Sequence, residues 1–576
     1  VNASTIRCAE ETLLDLFSKG KIPGTVHTCI GQENIAIAAM ANIREGDIVL
    51  GNHRSHGHYL AYGGSLESLF QQIMYGHGSQ HLHYNNFYTN GIQGGIVPNA
   101  AGAAFAEKLK GTDNISVVFL GDGTLGQGVV YETLNMAALW GIPVLFVVEN
   151  NQYAMSTKTK DAIAGKIEDR FKAFEIACIH TSSYSEDFFE KINTSFSCVR
   201  RFKNPFAVIV DAYRLSPHSK GDDTRDKKEI EYYRQFDKVV VTDEDRQIVA
   251  DALKKVKPDE QIKVPPVINP KNKMLLKTAD VRVNRELNFA LDELLLHDKN
   301  VVLMGEDIKD PYGGSFKVTA GLSTKYPGRV INTPISEAGI TGIAVGMALQ
   351  GMKPIVEIMF GDFLTLCSDQ LVNHAVKYLE YGKKLHLVVR TPMGGRRGYG
   401  MTHSQSLEKM FCGIQGLLVV APSIYHNCGE LLKRSVEYGQ PVLFIENKAM
   451  YGEKLLNIEK HTMQMFPTVY IGNYKPEVSL VTYGYCARLC VEAMEKLKES
   501  NINAEVIVSS LISHLDIQAH SDKIVTVEEG TARFSWGNEL NPVLKITTND
   551  IQIPAYNELD IMPSVEKIVE GVKKIV

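Results

Sequence analysis

The 576-residue sequence has nine cysteines and no Cys-x-x-Cys pair. An odd, scattered set excludes a disulfide framework and reads as reduced thiols. Cys486 and Cys490 sit four apart and share a helix face, most simply as small buried side chains. Long apolar runs are missing too, so no segment has the length of a membrane span. The first residues lack a basic-then-apolar leader. With the reduced cysteines, this gives the expectation of a cytoplasmic protein. Charge of one sign is also scarce. The 61 Lys and Arg against 66 Asp and Glu leave a net charge of −5, with no acidic tail and no basic nucleic-acid footprint. Nucleic acids and membranes are therefore excluded as partners.

The length implies several domains with ample core. Between 254 and 277 the sequence KKVKPDEQIKVPPVINPKNKMLLK carries four prolines and several lysines, a composition that favours extended chain, and it reads as a linker. The most informative motif precedes it. Gly121-Asp122-Gly123 is followed, 26 residues later, by Asn150-Asn151. The apolar runs Val117–Leu120 and Val144–Val148 read as buried strands, and Gln127–Trp140 has helical spacing before Gly141-Ile142-Pro143 stops it. A strand–helix–strand unit makes the two strands parallel, with both carboxyl ends on the sheet edge where open α/β sheets bind ligands. Asp122 and Asn151 meet there, although 29 positions apart. A carboxylate and an amide carbonyl suit a hard cation such as Mg²⁺, which completes its shell with phosphate and water. Taken alone, GDG is an ordinary turn; the paired asparagines at this distance turn the reading towards a cation.

GDGTLGQGVVYETLNMAALWGIPVLFVVENNQYAMST resembles the thiamine diphosphate motif of the α subunit of 2-oxo acid dehydrogenases, the decarboxylating components of the pyruvate, branched-chain and acetoin systems. The resemblance implies that Asp122, Asn151 and the backbone carbonyl of Tyr153 hold Mg²⁺, with Gly123 and Thr124 beside the diphosphate. VHTCIGQENIAIAAM and NHRSHGHYLAYGG are similar to the family's N-terminal helices. Arg54 falls on an arginine of the diphosphate, a role that suits a planar guanidinium. Before it the family usually has Tyr, where this chain has His53, as in the acetoin branch. His53, His56 and His58 lack the fourth ligand and the spacing of a zinc site. GSQHLH (with His81) and NGIQGGIVP follow the family as well. Gly91 to Gln93 are expected against the aminopyrimidine through their backbone, and Gln93 replaces an apolar residue. YRLSPHSKGDDTR resembles a loop at the active-site mouth. Its His218 matches a histidine that handles the substrate carbonyl; the alternative is a polar surface loop with one histidine, against which the surrounding Gly-Asp-Asp and Arg argue, because a loop over a phosphate cofactor is often ordered by ion pairs.

From about Thr278 a second module resembles the β subunit. INTPISEAGITGIAVGMALQG places Glu337 ahead of a small-residue helix. Capping and the macrodipole favour a carboxylate there in any case, while the resemblance makes it the glutamate that hydrogen-bonds the aminopyrimidine. Such a charge-assisted bond promotes ionisation of the thiazolium carbon acid. Met359 and Phe363, in VEIMFGDF, fall on positions that pack on the cofactor; stacking suits Phe363, as does an ordinary core role. His403 ends the Gly-rich GGRRGYGMTH segment, and with His218 is expected to transfer protons near neutral pH.

The expected architecture is an α/β thiamine diphosphate-binding fold. It has two Rossmann-like parallel-sheet domains, for diphosphate (residues 1–253) and pyrimidine (278–470), and a transketolase C-terminal-like α/β domain (471–576). Because α and β parts share one chain, a homodimer is expected. In the last domain SSLISHLD, from Ser509 to Asp516, lacks the family's leucine–arginine–proline stretch, and Gly530–Leu540 is altered too. The resemblance implies decarboxylation of a 2-oxo acid, or cleavage of acetoin, and acyl transfer to a lipoyl acyltransferase partner. The alternatives are a free-standing carboligase, which hands the acyl unit to an aldehyde or ketone, and a non-catalytic scaffold, against which the retained ligand set argues.

Overall fold

A computed structural model describes residues 1–219, 223–258, 268–271, 280–456, 460–472 and 475–576. The linker expected at 254–277 lies largely outside these residues. The chain divides into two compact units, Val1–Lys263 with Gly342–Gln350, and Val264–Thr341 with Gly351–Val576.

The first unit is built on a sheet of seven strands. They are β1 (Ile48–Gly51), β2 (His83–Tyr84), β3 (Phe87–Thr89), β4 (Ser116–Gly121), β5 (Val144–Asn150), β8 (Ala177–Ser182) and β9 (Phe206–Asp211); β6 (Tyr153–Ala154) and β7 (Thr157–Lys158) form a separate hairpin. Spatial order is β2-β3-β1-β4-β5-β9-β8, parallel throughout except for the short β2–β3 pair. Strands β4 and β5 are buried along almost their whole length, as the continuous runs of Val, Leu, Ile and Phe require of a sheet covered on both faces. A 3₁₀ turn, Asp122–Gly126, separates β4 from the helix Gly128–Leu139, and Gly141 at φ 56° ends that helix. Both strands and the helix thus stand where the spacing predicts them. The register Gly121↔Glu149 sets Asp122 and the asparagine pair at adjacent strand ends.

The second unit holds two sheets. The first contains β10 (Val301–Gly305), β11 (Val330–Asn332), β12 (Lys353–Glu357), β13 (Val388–Met393), β14 (Leu418–Val420) and β15 (Val442–Asn447), all parallel, in the order β11-β10-β12-β13-β15-β14. The second contains β16 (Thr468–Gly472), β17 (Val478–Thr482), β18 (Ala504–Ser509), β19 (Ile524–Thr531) and β20 (Leu544–Thr548), with only β16 antiparallel, against β18. Helices such as Cys486–Glu499 and Val565–Lys573 cover the second sheet; Cys486 and Cys490 lie buried in its core, as their spacing implies. Two parallel-sheet domains and a C-terminal α/β domain match the expected fold class. Among the described residues no helix is long and apolar enough to cross a membrane.

Ion pairs anchor the strand ends of the second unit. Arg390 on β13 is fully buried between Glu357 on β12 and Glu446 on β15. Its Nε donates to Glu446 Oε1 at 2.7 Å and its Nη1 to Glu357, while Tyr451 Oη donates to Glu446 Oε2 at 2.6 Å. Burial opposes the charged guanidinium, yet the two carboxylates overcome it and hold Arg390 protonated. Arg390→Met leaves two carboxylates buried without their cation. The expected loss in urea denaturation is about 3–5 kcal/mol; a loss within 1 kcal/mol, the ordinary scale of a surface ion pair, contradicts this assignment.

Candidate active site

At the carboxyl edge of the first unit's sheet a cavity of about 440 Å³ opens. Asp122, Gly123, Thr124, Asn151, Tyr153, Gly91, Gln93, Arg54 and His218 all line it, so nine of the sequence-derived positions come together. His81 does not line it; its neighbour Gln80 does. The expectation for His81 is corrected, because the turn after Gly78 aims the preceding side chain inward.

One end of the cavity is acidic. Asp122 is buried, and desolvation raises its carboxyl above the usual range although Thr159 donates a hydrogen bond to it. Asn151 gives its amide N–H to Gln32 Oε1 at 3.1 Å, which orients its carbonyl oxygen away from Gln32. The next residues, Gln152 and Met155, take positive φ and fold Tyr153 back over the GDG turn. A Cβ on Gly123 would stand 2.5 Å from that of Ala154, so the close approach demands glycine.

The other end is basic. Arg54 is buried, with Nη1 on the Thr28 carbonyl at 2.5 Å and Nη2 on His218 Nδ1 at 3.2 Å. Arg214 donates to the same Nδ1 at 3.0 Å and to the Met155 carbonyl at 3.1 Å. Burial brings Arg54 down to about 10, and burial, then repulsion from Arg54 and Arg225, brings Arg214 down to about 9. His218 is pushed down to about 3 by burial and by Arg54, and His27 to about 4 by burial foremost. His218 is therefore a neutral imidazole with its proton on Nε2, a hydrogen-bond donor. The expectation that it transfers protons near pH 7 is revised, because sequence does not reveal two guanidiniums on one ring nitrogen. Asp223 and Arg225 of its loop form a 2.6 Å ion pair, as the ordering argument supposes, whereas Lys220, Gly221 and Asp222 lie outside the described residues.

His27, His53 and His218 bring ring nitrogens within 4.8 Å of one another. They do not make a cation site. His218 Nδ1 is occupied by two guanidiniums, and His27 Nδ1 faces the His218 carbonyl at 3.0 Å. The zinc reading of His56 and His58 fails as expected: His56 pairs with Glu10 at 2.9 Å, and His58 lies against Glu149 and Phe119.

The cavity fits a cation-bound diphosphate. A buried carboxylate and an amide oxygen await a hard cation. In the same lining, His53 Nε2 is buried without a hydrogen-bond partner among the described residues.

In the second unit Glu337 opens the helix Glu337–Leu349 and is buried. Half-buried Glu306, at the end of β10, is its neighbour. Burial, then the Glu337 charge, raises Glu306 to about 7. The remaining expected positions, Met359, Phe363 and His403, are half-buried. His403 packs against Phe363 at 5.3 Å and Phe360 at 4.7 Å, and Met359 is half-buried beside Phe360 in the chain. Lys448, lowered to about 8 by burial, donates to the His403 carbonyl and so ties that loop down. Sequence reasoning missed His27, Gln80, Arg214, Glu306 and Lys448. His27 lies inside VHTCIGQEN and Glu306 inside LMGEDI, where a polar residue beside an apolar run is the available signal.

The Dehydrogenase E1 component model matches residues 2–257. The transketolase pyrimidine-binding domain matches 281–454 and the transketolase C-terminal domain 469–557. The pyruvate dehydrogenase E1 component subunit beta-1 of Arabidopsis thaliana is 35% identical over 325 residues, 51% of this chain and 89% of that protein. The chain belongs to the thiamine diphosphate-dependent 2-oxo acid dehydrogenase E1 family, with α-type and β-type parts in one polypeptide. The beta subunit of the acetoin:2,6-dichlorophenolindophenol oxidoreductase of Cupriavidus necator is 34% identical over 275 residues, 46% of this chain and 80% of that one. Transketolase from Campylobacter jejuni shares the fold at a TM-score of 0.72 and 16% identity, covering 99% of both chains. The chain is thus an enzyme of this E1 family with a transketolase-like fold.

Glu306 supplies a pH test of the second unit. Its folded-state affinity for protons exceeds that of the unfolded chain, so the folded state holds more protons between about pH 4.5 and 7 and stability falls as pH rises through that window. In Glu306→Gln, urea midpoints measured across the window should decline less steeply than in wild type; an unchanged slope contradicts the pairing with Glu337.

Proposed function

We propose that the chain decarboxylates a 2-oxo acid, using thiamine diphosphate and Mg²⁺, and passes the acyl group to a lipoyl group on an acyltransferase partner. The observation that carries this reading is one cavity at the sheet's carboxyl edge in which the buried Asp122 carboxylate, the Asn151 amide and the buried Arg54 guanidinium converge. Asp122, Asn151 and the Tyr153 carbonyl are the proposed Mg²⁺ ligands. Gly123, Thr124 and Arg54 are the proposed diphosphate contacts, with the Gly91–Gln93 backbone, Met359 and Phe363 on the aminopyrimidine. When bound, the cofactor supplies the electron sink that lets a 2-oxo acid lose CO₂.

The chain's own groups supply position and protons. Glu337 holds a proton on the aminopyrimidine ring nitrogen through a charge-assisted bond, and burial of the carboxylate keeps water from weakening it. Glu306, titrating near neutral pH, is the adjacent proton store. His218 offers its Nε2 proton as a neutral donor to the substrate carbonyl oxygen. His403, held by Lys448 and walled by Phe360 and Phe363, handles the proton at the reacting carbon. A homodimer supplies two such sites, as two fused α–β pairs.

One observation favours a second reading, a carboligase that gives the acyl unit to an aldehyde or ketone. The two segments that depart from the family pattern are joined: Trp536 Nε1 donates to the Ile512 carbonyl at 2.9 Å, and next to it Phe534 is 89% exposed. A remodelled C-terminal surface is where a lipoyl partner is in question.

Two experiments test the proposal. Incubation with pyruvate or a branched 2-oxo acid and a lipoyl domain should yield acyl-lipoyl, read by mass spectrometry; hydroxyketone from an added aldehyde, with no acyl-lipoyl, selects the carboligase reading instead. Glu337→Gln should lower CO₂ release by roughly 10²–10⁴ while calorimetric cofactor affinity stays within a few-fold. Near-normal turnover removes Glu337 from its role.

A further inference from the structure

Two departures from the family pattern, His53 for tyrosine and Gln93 for an apolar residue, are 40 positions apart in sequence. In the structure they are one unit. Gln93 Nε2 stands 2.8 Å from His53 Nδ1. We propose that Gln93 is a positioning residue that locks His53 in the tautomer with its proton on Nε2, presenting that N–H to an anionic oxygen of the cofactor diphosphate.

The amide's orientation follows from its other partners. Nε2 also lies 3.1 Å from the Gly91 carbonyl, which only accepts, so that edge of the amide must be the NH₂. The opposite atom, Oε1, accepts from Thr124 Oγ1 at 2.8 Å. With the amide fixed at both ends, its second N–H points at His53 Nδ1, which must carry the lone pair. The single proton of a neutral imidazole is then on Nε2. That atom is buried, belongs to a residue lining the cavity, and has no hydrogen-bond partner among the described residues.

The ring stays neutral because burial and the neighbouring Arg54 both oppose a charge on it. Its orphaned N–H needs an acceptor. Arg54 offers no acceptor, and neither the His27 nor the His218 ring makes a hydrogen bond to His53 Nε2 among the described residues, so the proposed acceptor is a ligand oxygen. Thr124 links the lock to the GDG turn, the end of the cavity assigned to the diphosphate. The identity of the anion rests on the proposed function; the tautomer does not.

The coupling explains why both positions differ together. A tyrosine hydroxyl rotates to whatever acceptor is present and needs no lock. An imidazole can present either a donor or an acceptor, and an apolar residue at 93 would leave that choice open.

The test combines spectroscopy with a double-mutant cycle. In ¹⁵N-histidine-labelled protein, the signals lost in His53→Tyr should show the proton on Nε2 in wild type and a tautomer mixture in Gln93→Met. By calorimetry, each single variant should bind thiamine diphosphate about tenfold more weakly, the scale of one hydrogen bond to an anion, and His53→Tyr/Gln93→Met should recover to within about threefold of wild type. A wild-type proton on Nδ1, unchanged affinities or additive losses overturn the proposal. Failure of the wild type to bind thiamine diphosphate would instead sink the proposed function and with it the anion's identity, and the ¹⁵N signals alone would then decide the lock.

Discussion

The register between two parallel strands, Gly121 opposite Glu149, is the constraint on which the site rests. It brings Asp122 and Asn151 to one sheet edge and, through the positive-φ turn after Asn151, folds Tyr153 over them. Burying a carboxylate there is unfavourable, as the upward shift of Asp122 shows. Burying Arg54 and Arg214 a few ångströms away is unfavourable in the opposite sense. Arg214 favours the charge on Asp122, and Glu149 that on Arg54, but burial outweighs both. A ligand that is a cation at one end and a polyanion at the other relieves both penalties at once, which is the electrostatic shape of a metal-bound diphosphate.

The second unit repeats the logic with different parts. Its central charge, Arg390, is fully neutralised by Glu357 and Glu446 and serves the fold. Glu337 and Glu306 are not neutralised, and one of them keeps its proton into the neutral range. The same sheet edge therefore carries a satisfied network that holds strands together and an unsatisfied one left for chemistry.

The sequence made the strand–helix–strand unit legible because buried strands and an amphipathic helix have distinct periods. Asp122 and Asn151 followed from spacing as candidate cation ligands, and Tyr153, Arg54, Glu337 and the histidines from resemblance. What it hid were contacts between loops. Arg214 and Gln80 sit in irregular segments with no periodicity to mark which way they face, and His81 was taken for the inward residue where Gln80 is. The charge state of His218 depends on Arg54, 164 positions away, so no local signal carries it. His53 and Gln93 were each visible as a departure, but their hydrogen bond exists only in three dimensions.

The most direct measurement is a calorimetric titration of thiamine diphosphate into the wild-type chain, with Mg²⁺ present and again after chelation with EDTA. The account predicts saturable binding of one equivalent per chain that collapses when the cation is removed, because the Asp122 carboxylate meets the diphosphate only through the metal. Binding of equal strength in EDTA, or no binding with Mg²⁺, would contradict it.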